Sequence, residues 1–219
     1  MDPEVAAPQL PELEAVELRG GVELEELVLG DALVEHAAGN AIATPRLHIQ
    51  ESEIHGLELA LGTAKALFLR DALLVECGLS NATARGAEVR RVELRNARMV
   101  GLGLTEAEIE DLRITGGTLM LGSIAGSRVR HAVFENVNLR EASFADSRLV
   151  SVAFEGCEFA GADFRGAHLE DCAIRGSSLE GVVGIESLRG VKMPWNDLVA
   201  STGALAEALG IEVEGAGNL

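Results

Sequence analysis

Large apolar residues recur at every fifth position of this chain, in one phase from Leu24 to Leu179. Of the 32 positions in that phase, 28 hold Val, Ile, Leu, Met or Phe. A period of five fits neither an α-helix, with about 3.6 residues per turn, nor a flat strand, in which side chains alternate with a period of about two. The pattern therefore predicts a backbone that bends once in every five residues.

A second series of uncharged residues lies two positions before each of these centres. It runs in fives from Val22 to Ser177, and none of its members is larger than Leu or Ile. If both series point inward and the other three residues of each five point outward, the chain must wind into a coil. Glycine accepts the φ angles that tight corners need. Glycines lie two residues after many centres and mark the predicted corners: Gly56, Gly86, Gly101, Gly116, Gly126, Gly156, Gly161, Gly166, Gly176 and Gly181.

Three segments carry a short motif that resembles the A-(D/N)-(L/F)-X-X unit of the pentapeptide-repeat proteins. They are Ala162-Asp163-Phe164-Arg165-Gly166, Val137-Asn138-Leu139-Arg140-Glu141 and Ala167-His168-Leu169-Glu170-Asp171. The repeat covers about seven tenths of the chain. The resemblance implies an all-β solenoid, a right-handed quadrilateral parallel β-helix of about eight coils with four pentapeptides in each. Leu often replaces Ala in the small series of the first half, so we expect a wider or less regular column there.

The repeat divides the chain into three predicted parts. Residues 1–21 are out of phase and form an N-terminal cap or flexible segment, residues 22–181 form the pentapeptide-repeat β-helix, and residues 182–219 form a short C-terminal helical cap and candidate dimerisation segment. Caps are expected because the open ends of a solenoid carry unpaired backbone groups. Stacking residues 20 apart should place Phe134 over Phe154 and Phe144 over Phe164 as aromatic ladders.

The C-terminal part breaks the repeat at Met193-Pro194-Trp195, which is typical of a helix start, with Asn196 or Asp197 available to cap it. Gly210 suits a helix C-cap, and a final strand after it is expected to include Ile211. Two interpretations stay open, a cap on the chain's own column or a contact between two copies, and the apolar stripe with a lone tryptophan favours the homodimer. The candidate dimerisation residues are Trp195, Leu198, Leu205, Leu209, Ile211 and Val213.

The net charge of −17 divides into −8 for residues 1–46, −6 for residues 47–181 and −3 for residues 182–219. This balance argues against direct nucleic acid binding, because phosphate contacts need Lys and Arg clusters. The family resemblance implies another role: some members imitate duplex DNA, bind DNA gyrase or a related type II topoisomerase, and inhibit it or protect it from quinolone drugs, a form of antibiotic resistance. The one dense acidic cluster, predicted to bind such a partner, is Glu106, Glu108, Glu110 and Asp111. Ordinary solvated surface charge is the competing interpretation, and a scaffold or adaptor for an unrelated protein partner is the alternative function.

Candidate chemistry points away from an enzyme, and we expect no catalytic residue, cofactor or metal. The five histidines occupy outward positions without a common spacing: His36, His48, His55, His131 and His168. Gly101-Leu102-Gly103 lacks the third glycine and the context of a dinucleotide loop. Cys77, Cys157 and Cys172 fall in the small inward series, so we expect core thiols in a reducing cytoplasm. No signal peptide and no apolar run of membrane-spanning length is evident.

Overall fold

The described part of the chain, residues 3–18, 21–34 and 41–212 of a computed structural model, winds into a column of parallel strands. Its sixteen strands are β1 (Glu14–Ala15), β2 (Leu27–Gly30), β3 (Ala32–Val34), β4 (Ile42–Ala43), β5 (Arg46–His55), β6 (Leu59–Ala60), β7 (Thr63–Ala64), β8 (Ala66–Val75), β9 (Thr83–Arg85), β10 (Glu88–Arg95), β11 (Gly103–Thr105), β12 (Glu108–Thr115), β13 (Arg128–Glu135), β14 (Arg148–Glu155), β15 (His168–Glu170) and β16 (Ala173–Arg175). All of their pairings are parallel. A parallel β-solenoid of about eight turns with few helices confirms the predicted fold.

Each turn of the column has four sides, which follow the four pentapeptides of a coil. In the coil of β10, Val89 lies at the centre of side one, Leu94 of side two, Met99 of side three and Leu104 of side four. Sides one and two form the large sheet that contains β5, β8, β10 and β12 to β14. Sides three and four are held by shorter ladders, such as Gly78 with Arg98 and Gly103 with Ser123. The partners in these ladders are twenty residues apart.

The two apolar series fill the inside of the column. Phe144 and Phe154 have no exposed surface, and Leu169 is half-buried against the same core. The predicted ladders are confirmed: the ring centroids of Phe134 and Phe154 lie 5.0 Å apart and stacked, and those of Phe144 and Phe164 lie 4.9 Å apart and stacked. The three cysteines are buried and free, as predicted, and all ten of the glycines predicted at corners have positive φ.

The first coils depart from the twenty-residue register. Ile42 pairs with Leu59 and Ala43 with Ala60, a separation of seventeen, although Arg46 pairs with Ala66 three residues later. The upper coil therefore uses three fewer residues between side three and side one than the coil below. The less regular first half is confirmed here, and the polar residue Thr44 occupies a buried position of the five-residue phase. His36 lies outside the described residues.

The N-terminal segment follows the outside of the column before it enters the sheet. Strand β1 pairs with β3, with Glu14 opposite Ala32. Before β1, the backbone N–H of Gln9 donates to Asp71 Oδ1 over 3.1 Å, and the N–H of Ala6 donates to Asp111 Oδ1 over 3.3 Å. Two coils separate these acceptors, so residues 6–9 run along the column axis in an extended conformation.

The C-terminal end closes the column with a 3₁₀ turn, Ile185–Leu188, and two short helices, α1 (Trp195–Ala200) and α2 (Thr202–Ala208). The predicted cap by Asn196 or Asp197 is wrong, because no side chain caps α1 and Pro194 holds its N-cap position. Asp197 instead accepts a hydrogen bond from the N–H of Gly176 over 2.6 Å, and Ser201 Oγ accepts one from Leu179 over 3.3 Å. Side chains of the two helices thus satisfy backbone N–H donors of the last coil. These helices are far too short and too polar to cross a bilayer, and no other helix in the described ranges does better.

Candidate functional site

The four predicted acidic residues lie across side one of the β12 coil. Glu108 and Glu110 are the outward neighbours of Ile109, which is buried. Glu106 lies at the corner before this strand and Asp111 at the corner after it, both with positive φ of 54° and 56°. The cluster therefore spans a whole side from corner to corner, and does not project from a single edge.

Arginines from the neighbouring coils pair with the first two carboxylates. Glu106 contacts Arg85 at 2.8 Å, and Glu108 contacts Arg128 at 2.9 Å. All four of these side chains are more than half exposed. Exposed ion pairs of this kind contribute about 0 to 1 kcal/mol each, so they constrain the stability of the column very little. Their main effect is on the electric field, because each carboxylate is accompanied by a cation.

Glu110 and Asp111 are more enclosed than the other two acids. Glu110 accepts hydrogen bonds from Arg90 and lies 3.6 Å from Arg130. The bond from Arg90 lowers the pKa of Glu110, with a smaller opposing effect of burial. Asp111 lies 3.5 Å from Nδ1 of His131 and also accepts the N–H of Ala6. Only 17% of the Asp111 side chain is exposed, because the N-terminal segment lies beside it.

Side one as a whole carries both charges along the column axis, and like charges also follow one another, as in Glu88 beside Glu108 and Arg128 beside Arg148. Its outward acids are Glu88, Glu108, Glu110 and Glu170, and its outward arginines are Arg70, Arg90, Arg128, Arg130 and Arg148. Residues that follow one another in each outward row are about 4.8 Å apart, the spacing of parallel strands. At that spacing opposite charges screen one another, so side one carries no net acidic field.

Free carboxylates occur farther along the column. Among the described residues, no ion-pair partner within 4.0 Å of the carboxylate was found for five acids of the last three coils: Glu135, Glu141, Asp146, Glu158 and Glu180. Most of them lie on side three and its corners, and not on side one. The sequence gives only a weak signal for these five acids, because they lie on different coils and do not form a run of neighbouring residues in the chain.

Several open depressions accompany this charge pattern, including one of about 650 Å³ beside the N-terminal segment and one of about 530 Å³ beside Arg140 and Glu180. The side-one depression lined by Phe68, Arg70 and Arg130 has a volume of about 270 Å³. In the described ranges, no group of three or more His, Cys, Asp and Glu residues has a geometry that could hold a metal ion. The three cysteine thiols are inert nucleophiles, because burial raises the pKa of Cys77 and of Cys157 to about 11 and also raises that of Cys172.

The candidate dimerisation residues form an exposed apolar surface at the C-terminal end. Trp195 is 73% exposed, Leu209 76% and Ile211 56%. Leu198 is also exposed, whereas Leu205 packs against the core of its own column. Ile211 is not part of a strand, so the predicted final strand is wrong at this residue, and Val213 lies outside the described residues.

One charged pair was not predicted from the sequence. Asp71 and Arg91, at the corner between sides one and two, form two hydrogen bonds of 2.6 Å each. Only 4% of the Asp71 side chain and 18% of the Arg91 side chain are exposed. The Arg91 guanidinium lowers the pKa of Asp71 most, while burial opposes it and the N–H of Gln9 assists. The twenty-residue spacing of the pair is the only signal in the sequence that could have indicated it.

Comparison with known proteins supports the repeat assignment. Residues 123–183 match the family model described as the pentapeptide repeat region. This part of the chain is a pentapeptide repeat region. The twenty-residue register of the matched segment continues into the coils before it, from Arg46 with Ala66 onward. No curated protein matches the chain in sequence.

Comparison of structures also finds similar proteins, all at low sequence identity. A trypsin-treated variant of QnrB1, described as a plasmid-mediated fluoroquinolone resistance protein, is 21% identical; the match covers 90% of this chain and 98% of that one, with a TM-score of 0.51. HetL from the cyanobacterium Nostoc sp. strain PCC 7120, described as involved in the regulation of heterocyst differentiation, is 17% identical, with 86% and 92% coverage and a TM-score of 0.36.

Proposed function

We propose that this pentapeptide-repeat protein is non-catalytic and presents its rigid acidic rod to a protein partner. Its most specific form is a mimic of duplex DNA that binds DNA gyrase or another type II topoisomerase, and inhibits the enzyme or protects it from quinolone drugs. The observation that carries the proposal is a column of stacked parallel strands in a chain with a net charge of −17. The cytoplasm, where chromosomal DNA and its topoisomerases meet, is the proposed location.

Two further observations support a role as a docking surface. Outward side chains repeat at intervals of about 4.8 Å along the axis, which gives charges a regular spacing on a stiff support. The structural neighbour with a TM-score of 0.51 is described as a fluoroquinolone resistance protein. Association would be steered by the acidic excess and would weaken with salt, as expected for long-range electrostatic attraction.

The alternative, a scaffold or adaptor for an unrelated protein, is favoured by the arginines of side one. Arg128 neutralises Glu108, and Arg90 with Arg130 neutralises Glu110. A partner that binds this face would meet both positive and negative charges, which favours a protein surface with the complementary charge pattern over a uniformly basic DNA channel.

A supercoiling assay with purified gyrase and graded amounts of the protein tests the mimic. We expect inhibition, or protection of the enzyme from quinolone-stabilised cleavage, at micromolar protein. The double variant Glu108→Gln with Glu110→Gln should raise the half-inhibitory concentration about tenfold, since two surface charge contacts of about 0.7 kcal/mol each would be lost. Glu158→Gln with Glu180→Gln, on side three, is the matched control.

The outcomes separate the two functions. No inhibition and no drug protection with any type II topoisomerase would remove the mimic and leave the adaptor. Inhibition that is lost only in the side-three control would keep the mimic but move its contact surface from β12 to the free carboxylates of the last coils.

A further inference from the structure

The corner between sides one and two differs in composition from the other corners of the column. Its residues are one coil apart and all adopt positive φ, between 48° and 56°, without a glycine among them: Asp31, Glu51, Asp71, Arg91, Asp111, His131, Ser151 and Asp171. We call this row the corner ladder. Non-glycine residues adopt this conformation at a cost of about 1 to 2 kcal/mol each, so the row places polar side chains where glycine would be easier.

The N-terminal segment lies along the corner ladder. Gln9 donates its N–H to Asp71 and Ala6 donates its N–H to Asp111, two coils farther along the column. Residues Pro3 to Ala6 line one cavity together with Asp111, His131, Ser151 and Asp171. Pro3, Val5, Pro8 and Leu10 are half-buried, whereas Glu4, Ala6, Ala7 and Gln9 are exposed. This alternation is typical of an extended strand with one face against a surface.

The outward face of side two beside this segment is unusually buried. Val133, Ala153 and Ala173 point away from the core, yet they are only 5%, 0% and 3% exposed. The residues at the equivalent positions of side four, Ser123, Ser143 and Asp163, are half-buried. Side two is therefore less exposed than side four at these positions, and the N-terminal segment lies beside the corner residues His131, Ser151 and Asp171 that precede them by two residues.

We propose that residues 3–10 are a displaceable strap, docked in extended form along the corner ladder, which covers the outward face of side two and withholds Asp111 from other molecules. The docking groove accepts an extended peptide that offers backbone N–H groups to Asp71 and Asp111 and small apolar side chains to side two. The chain's own segment is its occupant. A protein that binds this face must first displace the strap.

The balance of charge explains why the strap is displaceable. Its two anchoring bonds join neutral N–H groups to carboxylates, and each such bond to a charged group contributes modestly when exchanged for water. The strap carries Glu4 into a region that also holds Asp111 and Asp171, so like charges oppose the docking. His131 and Lys192 line the same cavity and partly offset this repulsion.

Thiol labelling of the full chain tests the strap independently of any topoisomerase. Val133→Cys places a reporter of similar size under the strap, and the three native thiols are buried and should stay unlabelled. Ala6→Pro with Gln9→Pro removes both anchoring N–H donors but leaves the segment extended. Ala7→Pro, at an exposed position with no anchoring bond in the described structure, is the matched control.

We expect the labelling rate of the reporter to rise about tenfold or more in the double proline variant and to stay unchanged in the control. The native thiols report in the same sample that the column remains folded. Equal rates with and without the anchoring donors, or rapid labelling when the strap is intact, would overturn the proposal. Hydrogen exchange of the unsubstituted protein gives a second measurement: Ala6 and Gln9 amides that exchange as fast as the Ala7 amide would also overturn it.

Discussion

At the scale of single residues, the Asp71–Arg91 pair is the most enclosed charge in the described column. The two hydrogen bonds of 2.6 Å form a bidentate pair, a geometry that strengthens a charge-assisted interaction. Because the pKa of Asp71 is lowered by this pair, the ionised carboxylate stabilises the fold above its unfolded pKa of about 3.9. That contribution is lost as the pH falls through the lower pKa of the folded state.

The substitution Asp71→Asn should reduce the free energy of unfolding at neutral pH by about 1 to 3 kcal/mol, because it leaves the half-enclosed guanidinium without its anion. Denaturant unfolding at pH 7 and at pH 2 to 3 measures this change in unfolding free energy. The difference in unfolding free energy between the variant and the wild type should shrink at the lower pH. Glu88→Gln, at an exposed position on side one, is the control and should change little. A loss of unfolding free energy that is as large at low pH as at neutral pH would contradict stabilisation by the ionised Asp71 carboxylate.

Phe144 is the centre of the aromatic core. Its ring centroid lies 4.9 Å from that of Phe164, 5.6 Å from Phe154 and 6.1 Å from Phe134. Phe144→Ala should cost about 3 to 5 kcal/mol in unfolding free energy, because stacked coils cannot collapse around the cavity. Phe68→Ala removes an equally large ring from an outward position and should cost far less. Similar losses for both would show that the inner ladder adds no special packing.

At the scale of the coil, close stacking restricts the backbone more at Gly117 than at Gly86. A Cβ at Gly117, where φ is +79°, would lie 2.3 Å from the carbonyl oxygen of Ala97 in the coil above. At Gly86, where φ is +67°, a Cβ would meet no atom within 4 Å. Gly86→Ala therefore carries only the backbone cost of about 1 kcal/mol, whereas Gly117→Ala must also shift a neighbouring coil. We expect at least twice the loss of unfolding free energy for Gly117→Ala, and equal losses would mean that the coils separate easily.

The coil also shows which features follow from a periodic sequence. Inward positions such as Phe134, Phe154 and Cys157 could be predicted because every coil repeats the same bend, so one rule places all of them. The slip at Ala43 and Ala60 could not, because it preserves the five-residue phase and changes only which coil positions pair. The strap was equally hidden: Ala6 and Asp111 are 105 residues apart in the chain, and their contact belongs to no repeat.

The candidate acidic cluster shows the same division. Its position on side one follows from the period, since Glu108 and Glu110 flank an inward isoleucine. Its neutralisation by Arg90 and Arg128 depends on the conformations of these long side chains, which reach across from adjacent coils. These arginines are twenty residues away in the sequence, so a dense acidic run in the sequence becomes a surface of mixed charge in three dimensions.

At the scale of the whole molecule, the two ends of the column are unlike. The C-terminal helices satisfy donors of the last coil through Asp197 and Ser201, as a cap should, yet they also present exposed apolar side chains. A cap for a lone column needs a polar outer face. The combination favours a homodimer in which the same patch of each copy meets across a twofold axis, with Trp195 and Leu209 near its centre.

Such a dimer should be an end-to-end rod. Eight coils at about 4.8 Å give a column of roughly 38 Å, so two columns should give a particle near 80 Å long in small-angle scattering. Leu209→Glu, at a residue 76% exposed, should halve the mass and the length by placing a charge in the apolar contact. Val28→Glu, at an apolar residue 65% exposed on side one, is the control and should leave the dimer intact. A wild-type particle of monomer mass at every concentration would exclude the pairing, and the exposed helices would then be a cap alone.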